Sequence, residues 1–320
     1  MTMLMTPPQP PAPPRRRRWR LPKLALGVAF TALVGLAVLL YPSAASWYSA
    51  VLQAREVDGY QQEVTAIGPV GREKVLAEAR SYNSALRSGA VVAANERLPF
   101  AHTSAPTTVD YDDLLAADAH GLMARLTIPA IDVDLPIYHG TSERVLEEGI
   151  GHLEGTALPV GGEGTHSVLT GHRGLATATL FTHLDRVQVG DRFQIYVFGD
   201  VLTYEVTSTI VVEPDETESL NPVPGADQVT LVTCTPLGIN SQRILVTGER
   251  ILPTPPADVR AAAVDAPGPG FPWWAAGLGG AVLILGGYVQ RSGRPRVPRQ
   301  DGPPSAPLPD STGAAIDRAR

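Results

Sequence analysis

TLVTCTPLGINSQRILVTGER, residues 230–250, reads as two short strands around a turn, and it holds the only cysteine of a 320-residue chain. The runs QVTLVTC (228–234) and RILVTGE (243–249) alternate β-branched or aliphatic residues with small polar ones, the pattern of a half-buried strand. Between them, TPLGINSQ carries the Pro, Gly and Asn that turns favour. An antiparallel register that sets Cys234 opposite Arg243 pairs residue 232 with 245 and 230 with 247. Cys234, Val232, Thr230, Arg243, Leu245 and Thr247 then share one face of the hairpin.

A lone thiol has two readings. Free cysteine is commonly a small buried hydrophobe. It is otherwise a nucleophile, which needs a base and a group that steadies developing negative charge. A guanidinium beside a thiol favours ionised sulfur and can donate hydrogen bonds to an oxyanion. An isolated arginine at a strand end is usually just a solvated charge; the shared face with the only cysteine moves Arg243 toward the functional reading. The base must come from His102, His120, His139, His152, His166, His172 or His183. His172 ends SVLTGHRG, where a strand runs into a glycine-flanked turn, the usual setting of an exposed functional side chain. His166 reads as a surface loop residue, and His139 and His152 as structural residues in turns. Spacing alone does not select His172 among them.

Other chemistries lack their motifs. The chain has no HExxH and no CxxC, so no metal site and no cofactor is expected. A phosphate-binding GxxxxGK[ST] loop and a GxSxG nucleophile elbow are absent too.

Working outward, two uncharged apolar runs flank the middle of the chain, Leu24–Tyr41 and Pro272–Val289, each about long enough to cross a bilayer as a helix. RRRRWRLPK (15–23) precedes the first, and RSGRPRVPR (291–299) follows the second. The positive-inside tendency predicts two spans, both termini cytoplasmic and the middle on the extracellular face. Trp47, Tyr48, Trp273 and Trp274 stand where interfacial anchors stand. SAAS (43–46) resembles a signal-peptide cleavage site, but the span exceeds the usual signal length, which favours an uncleaved anchor. Residues 24–288 hold 14 basic against 29 acidic residues, a net −15, which excludes nucleic-acid binding by a basic face.

The expected organisation is a basic Pro-rich tail (1–23), a transmembrane helix (24–41) and a helical segment (50–119) broken near Gly68–Gly71. A β domain (120–252), a linker (253–271), a second transmembrane helix (272–289) and a cytoplasmic tail (290–320) follow. In the β domain, strands are predicted at MARLTIP, VDLPIY, THSVLTGH, RFQIYVFG, VLTYEVTSTIVV, QVTLVTC and RILVTGERI, with a tight hairpin through Gly199 and Asp200. TSERVLEEGIGH is predicted to form a short helix capped by Thr141 or Ser142. Seven or eight short strands make a sandwich or a closed barrel.

These residues resemble the sortase family. TLVTC followed by Arg243 resembles the family's cysteine signature, LTGHRG its histidine motif, and residues 128–174 the first half of the same domain. The resemblance implies a mainly β, closed sortase-type barrel of seven to eight strands with short helices at the outer face of a Gram-positive membrane. It implies a transpeptidase in which Cys234 is the nucleophile, His172 the general acid/base and Arg243 the substrate or oxyanion stabiliser. An LPXTG-like signal would be cut between Thr and Gly and held as a thioester until an amine resolves it. TCTPLGIN and the second apolar run resemble class C, the pilus-assembling and actinobacterial-like type, whose acceptor is a pilin lysine; a peptidoglycan amine is the alternative acceptor. Many class C members carry a lid with an Asp-Pro-aromatic motif; here the 98–119 region has Leu98-Pro99-Phe100 and Asp110-Tyr111 instead. The remote alternative is a membrane-tethered binding module with a structural thiol.

Overall fold

The computed structural model describes residues 19–86, 110–118, 120–262, 264, 266 and 268–294. They fall into two compact units. One comprises the two ends of the chain, up to Leu36 and from Leu278; the other runs from Ala37 to Gly277.

The second unit holds an eight-stranded closed barrel: β1 (Leu122–Ile128), β2 (Val133–His139), β3 (Ile150–His152), β4 (Thr165–Thr170), β5 (Arg192–Val197), β6 (Asp200–Val212), β7 (Asp227–Thr235) and β8 (Gln242–Arg250). Around the barrel the order is β1-β2-β3-β4-β7-β8-β6-β5, so no strand edge is left open. The β2–β3 and β4–β7 pairs are parallel and the rest antiparallel. Seven strands lie where alternation predicts them. The eighth, β3, has three residues, too few for alternation to register, and its partner β2 is parallel and reached through helix α2 (Glu143–Glu148). Ser142 caps that helix, its Oγ accepting from the Val145 N–H at 3.4 Å. The β5–β6 hairpin turns through Phe198 and Gly199, one residue earlier than expected. Both have positive φ (45° and 90°), the handedness that matches the twist of the paired strands.

Tyr204, Phe193, Leu126, Ile137, Leu231 and Val246 fill the barrel core, all 0% exposed or nearly so. Helix α1 (Lys23–Leu86) covers part of it with Tyr60, Val64, Leu76, Ala79 and Tyr82. Tyr60 Oη donates to the Met123 carbonyl (3.0 Å) and accepts from the Phe198 N–H (2.8 Å). The Asn83 amide binds both the carbonyl and the N–H of Leu158. The expected break falls at Gly68 (φ 73°, ψ 170°), just before Pro69. The anchor run and the downstream helical segment, expected as separate pieces, are one α-helix through Pro42–Ser49, a stretch rich in Ala and Ser that tolerates helix.

Two expectations are corrected. Among the described helices only α1 is long and apolar enough to cross a membrane, so there is one candidate span rather than two. Helix α4 (Trp273–Ser292) forms, but five glycines, two tryptophans and the polar Gln290–Arg291 end dilute its apolar run. His166, read as a loop residue, lies in β4 and is 2% exposed, its Nε2 2.7 Å from Thr230 Oγ1. Period-2 alternation puts it on the same face as Val168, where Thr230 and the Asn221 carbonyl hold its ring.

Of the 98–119 region, residues 98–109, including Leu98-Pro99-Phe100, lie outside the described residues, as does His102. The described part packs into the core: Leu114 and Leu115 are buried, and Tyr111 Oη sits 2.8 Å from His152 Nδ1.

Candidate active site

The β7–β8 ladder has the expected register. Cys234 pairs with Arg243, Val232 with Leu245 and Thr230 with Thr247. On the other side of β7, the parallel ladder with β4 pairs Thr165 with Asp227 and keeps that offset of 62 through Thr170 and Val232. The backbone stays joined beyond the last pair: the Gly171 N–H donates to the Val232 carbonyl (3.1 Å), and Thr233 Oγ1 donates to the Gly171 carbonyl (2.7 Å). The same offset carried two residues further sets 172 beside 234. Cys234 and Arg243 are cross-strand partners, and His172, two residues beyond the last β4–β7 pair, extends their row at the end of β4.

Side-chain alternation puts that row on the face that carries Val168, Val232 and Leu245. These three form a small buried cluster separate from the main core, with Leu153, Val212 and Leu220 packed against it. The barrel interior takes the opposite face, with Val229, Leu231, Ile244 and Val246. The candidate site is thus a row of polar side chains above an apolar floor on the outside of the barrel wall.

Two glycines of LTGHRG let the chain approach closely here. A Cβ on Gly171 would meet Phe181 Cδ2 and Ile150 Cδ1 at 2.7 Å, and one on Gly174 (φ 77°) would meet Leu237 Cδ2 at 2.5 Å. The Phe181 N–H donates to the His172 carbonyl at 3.0 Å, closing the loop that leaves the histidine. Cys234 is a free, half-buried thiol. Arg243 Nη1 donates to the carbonyls of Asn240 and Gln242, both at 3.0 Å.

Sequence reasoning did not single out two neighbours of the row. Glu143 Oε1 lies 3.2 Å from His172 Nε2, with the carboxylate side chain 65% exposed. Arg173 reaches from the residue after His172 to Thr235 Oγ1 (2.9 Å), the residue after Cys234. Neither carries a local signal; both contacts exist only once α2, β4 and β7 are brought together. The other described histidines take part in structure. His139 binds the Gly121 and Leu114 carbonyls (2.9 and 2.6 Å), His120 pairs with Asp118 at the surface, and His183 precedes a short 3-10 turn at Leu184–Arg186. His152 is wholly buried, and burial pushes its pKa down to about 4. Burial also lowers His166. No group of three or more His, Cys, Asp or Glu side chains able to hold a metal occurs among the described residues.

A closed barrel with a free thiol and a guanidinium paired across two strands, and a histidine past the end of a third, fits the class of cysteine-based acyl-transfer proteins, and the comparisons name the family. The sortase domain profile matches residues 126–251. Sortase C-1 from Actinomyces oris is 49% identical, with the match covering 56% of this chain and 98% of that one at a TM-score of 0.51. Sortase C1 from Streptococcus agalactiae is 41% identical over 62% of this chain and 100% of that one, with a TM-score of 0.57. Sortase D from Bacillus subtilis is 31% identical over 129 residues, 39% of this chain and 62% of that protein. The chain spans only about that share of the curated relatives it matches, and nearly all of the solved structures. The chain belongs to the sortase family, and its structural neighbours are of the sortase C type.

Proposed function

We propose that this protein is a cysteine transpeptidase of the class C kind, which joins pilin subunits at the outer face of the cell membrane. The Cys234–Arg243 cross-strand pair, with His172 just past the end of the parallel β4–β7 ladder, is the observation that carries this reading.

In this reading an LPXTG-like sorting signal lies over the apolar floor of Val168, Val232 and Leu245. Cys234 Sγ attacks the threonine carbonyl carbon. Negative charge moves to the carbonyl oxygen, and Arg243 donates hydrogen bonds to it. His172, protonated, gives its proton to the departing glycine nitrogen, and the C–N bond breaks to leave a thioester and a free amine, a general-acid role worth about 10²–10⁴-fold. A lysine amine of the next pilin subunit then attacks the thioester. His172 takes its proton, sulfur leaves as thiolate, and an isopeptide bond remains. Excluding water while the thioester waits favours transfer over hydrolysis. Helix α1 is the candidate anchor, with the basic stretch before it on the cytoplasmic side.

The test incubates the full chain in detergent with an LPXTG-type peptide and traps the acyl-enzyme for mass spectrometry. The expected adduct sits on Cys234 and is lost in Cys234→Ala. An adduct elsewhere, or activity in Cys234→Ala, overturns the reading. The acceptor is read from the product made in cells. A lysine isopeptide supports pilin polymerisation, and a peptidoglycan amine replaces it with cell-wall anchoring.

A further inference from the structure

Arg173 makes contacts that a surface arginine does not make. Its Nε donates to the Thr182 carbonyl (3.1 Å), its Nη1 to Thr235 Oγ1 (2.9 Å), and its Nη2 lies 2.7 Å from Asp185 Oδ2. All three nitrogens are engaged, and the side chain is only 8% exposed. A guanidinium taken out of water needs this kind of internal satisfaction. The Gly174 N–H adds a parallel tie to Thr182 Oγ1 at 3.2 Å.

The placement of the partners gives the contacts their meaning. Thr235 follows Cys234 on β7, while Thr182 and Asp185 stand at the far end of the loop that begins at His172. The β4–β7 ladder ends at Thr170–Val232, and its backbone extension ends at Gly171. Beyond Gly171, no backbone hydrogen bond among the described residues joins the segment bearing the imidazole to the strand bearing the thiol. The Arg173 fork ties them together on the far side of the pair.

We propose that Arg173 is a positioning residue that holds the His172 loop against the Cys234 strand and so sets the separation of imidazole and thiol. This rests on the reading of His172 and Cys234 as the reacting pair. Arg173 acts through the residues it pins, since its nitrogens are committed to protein acceptors. The planar fork is what suits three acceptors on two segments; a lysine ammonium at the same place is a point charge on a flexible stem.

The experiment measures kcat, KM and thermal midpoint of the full chain in detergent, with an LPXTG-type peptide and a lysine-bearing acceptor. Thr235→Val removes one acceptor and little else. It should lower kcat about fivefold or more and leave KM within about twofold, with a modest drop in thermal midpoint because Arg173 Nη1 loses its acceptor. Arg173→Lys and Arg173→Gln should both lower kcat roughly a hundredfold, the scale of a 1 Å misplacement of reacting groups. Thr235→Val should then add nothing on the Arg173→Gln background, because the two residues act through one contact. Wild-type kcat in Thr235→Val, or a loss confined to KM or thermal midpoint, overturns the inference; Thr235→Val alone decides if the Arg173 variants do not fold. The controls separate the two levels. Activity in Cys234→Ala or His172→Ala brings down the reading of the site, and this inference with it. Inactive controls beside fully active Thr235→Val and Arg173→Lys bring down the role of Arg173 alone.

Discussion

Arg243 and Glu143 both stand beside the candidate reacting pair, and magnitudes separate them. Arg243 is held at one nitrogen by two carbonyls of its own loop, and its backbone pairs with Cys234 across the ladder. Removing a donor of this kind from a developing oxyanion typically costs 10²–10³-fold in rate. Arg243→Ala should therefore lower kcat by about that factor, with Arg243→Lys restoring only a small part, since the charge returns without the fork. Steady-state rates on a sorting-signal peptide check this; a kcat within threefold of wild type in Arg243→Ala would remove Arg243 from the oxyanion role. Glu143 meets His172 at 3.2 Å from a carboxylate open to solvent, and exposed pairs are worth about 0–1 kcal/mol. Glu143→Gln should thus change kcat/KM by less than about fivefold. A larger loss would make Glu143 a working third member of the site. The hairpin pair Cys234–Arg243 was legible in the sequence because both residues lie within one local alternation. Glu143 and Arg173 were not, since their partners lie 29 and 62 residues away and nothing in the local pattern marks the contact.

At the scale of elements, the parallel β4–β7 pairing decides whether a site exists. It joins segments 62 residues apart, and such non-local pairing leaves no trace in periodicity. His172 was therefore only the leading candidate on local context, and the ladder is what carries its end of β4 alongside β7. The three-residue β3 escaped the reading for a related reason: its strand character comes from its neighbours β2 and β4 rather than from its own sequence. The second apolar run is the converse case, where length looked sufficient and glycine content decided otherwise. Close packing at the end of β4 yields a prediction. Gly171→Ala pushes a methyl group into Phe181 and Ile150, whose rings and branches are themselves buried. Overpacking of this sort costs about 1–3 kcal/mol. The variant should show a lower thermal midpoint and, because 171 precedes the candidate base, a reduced kcat. An unchanged midpoint would mean that the loop relaxes freely, which the contacts at Phe181 and Thr233 argue against.

For the molecule as a whole, buried ionisable groups set how stability responds to acid. His152 is wholly buried, with Nε2 2.9 Å from the Ala157 carbonyl and Nδ1 2.8 Å from Tyr111 Oη. The neutral ring satisfies both contacts by donating to the carbonyl and accepting from the phenol. Charging it means placing an imidazolium out of water, near His139 as a second possible cation, which is why its pKa falls to about 4 from an ordinary value near 6.5. Between those two values the unfolded chain carries a proton that the folded chain refuses. Stability from this group is therefore complete above about pH 6.5, declines as pH falls toward 4, and is lost below that; the total is roughly 3 kcal/mol. His166, lowered by burial as well, acts in the same direction. Glu154 and Asp227 oppose it: burial raises both carboxyls, so the folded chain takes up their protons more readily, and this favours folding as pH falls. Glu154 also faces Asp110 and Asp112, whose like charges raise it further. The histidines begin to act near pH 6.5, above the ordinary carboxylate range. Acid destabilisation should accordingly appear first and flatten later. Hydrogen exchange of barrel amides in the full chain, corrected for intrinsic rates, reports the opening free energy at each pH. Protection in β1, β2 and β4 should drop between pH 7 and 5, and His152→Gln should flatten that slope while lowering protection throughout. Equal slopes in the two proteins would place the acid sensitivity elsewhere than at His152.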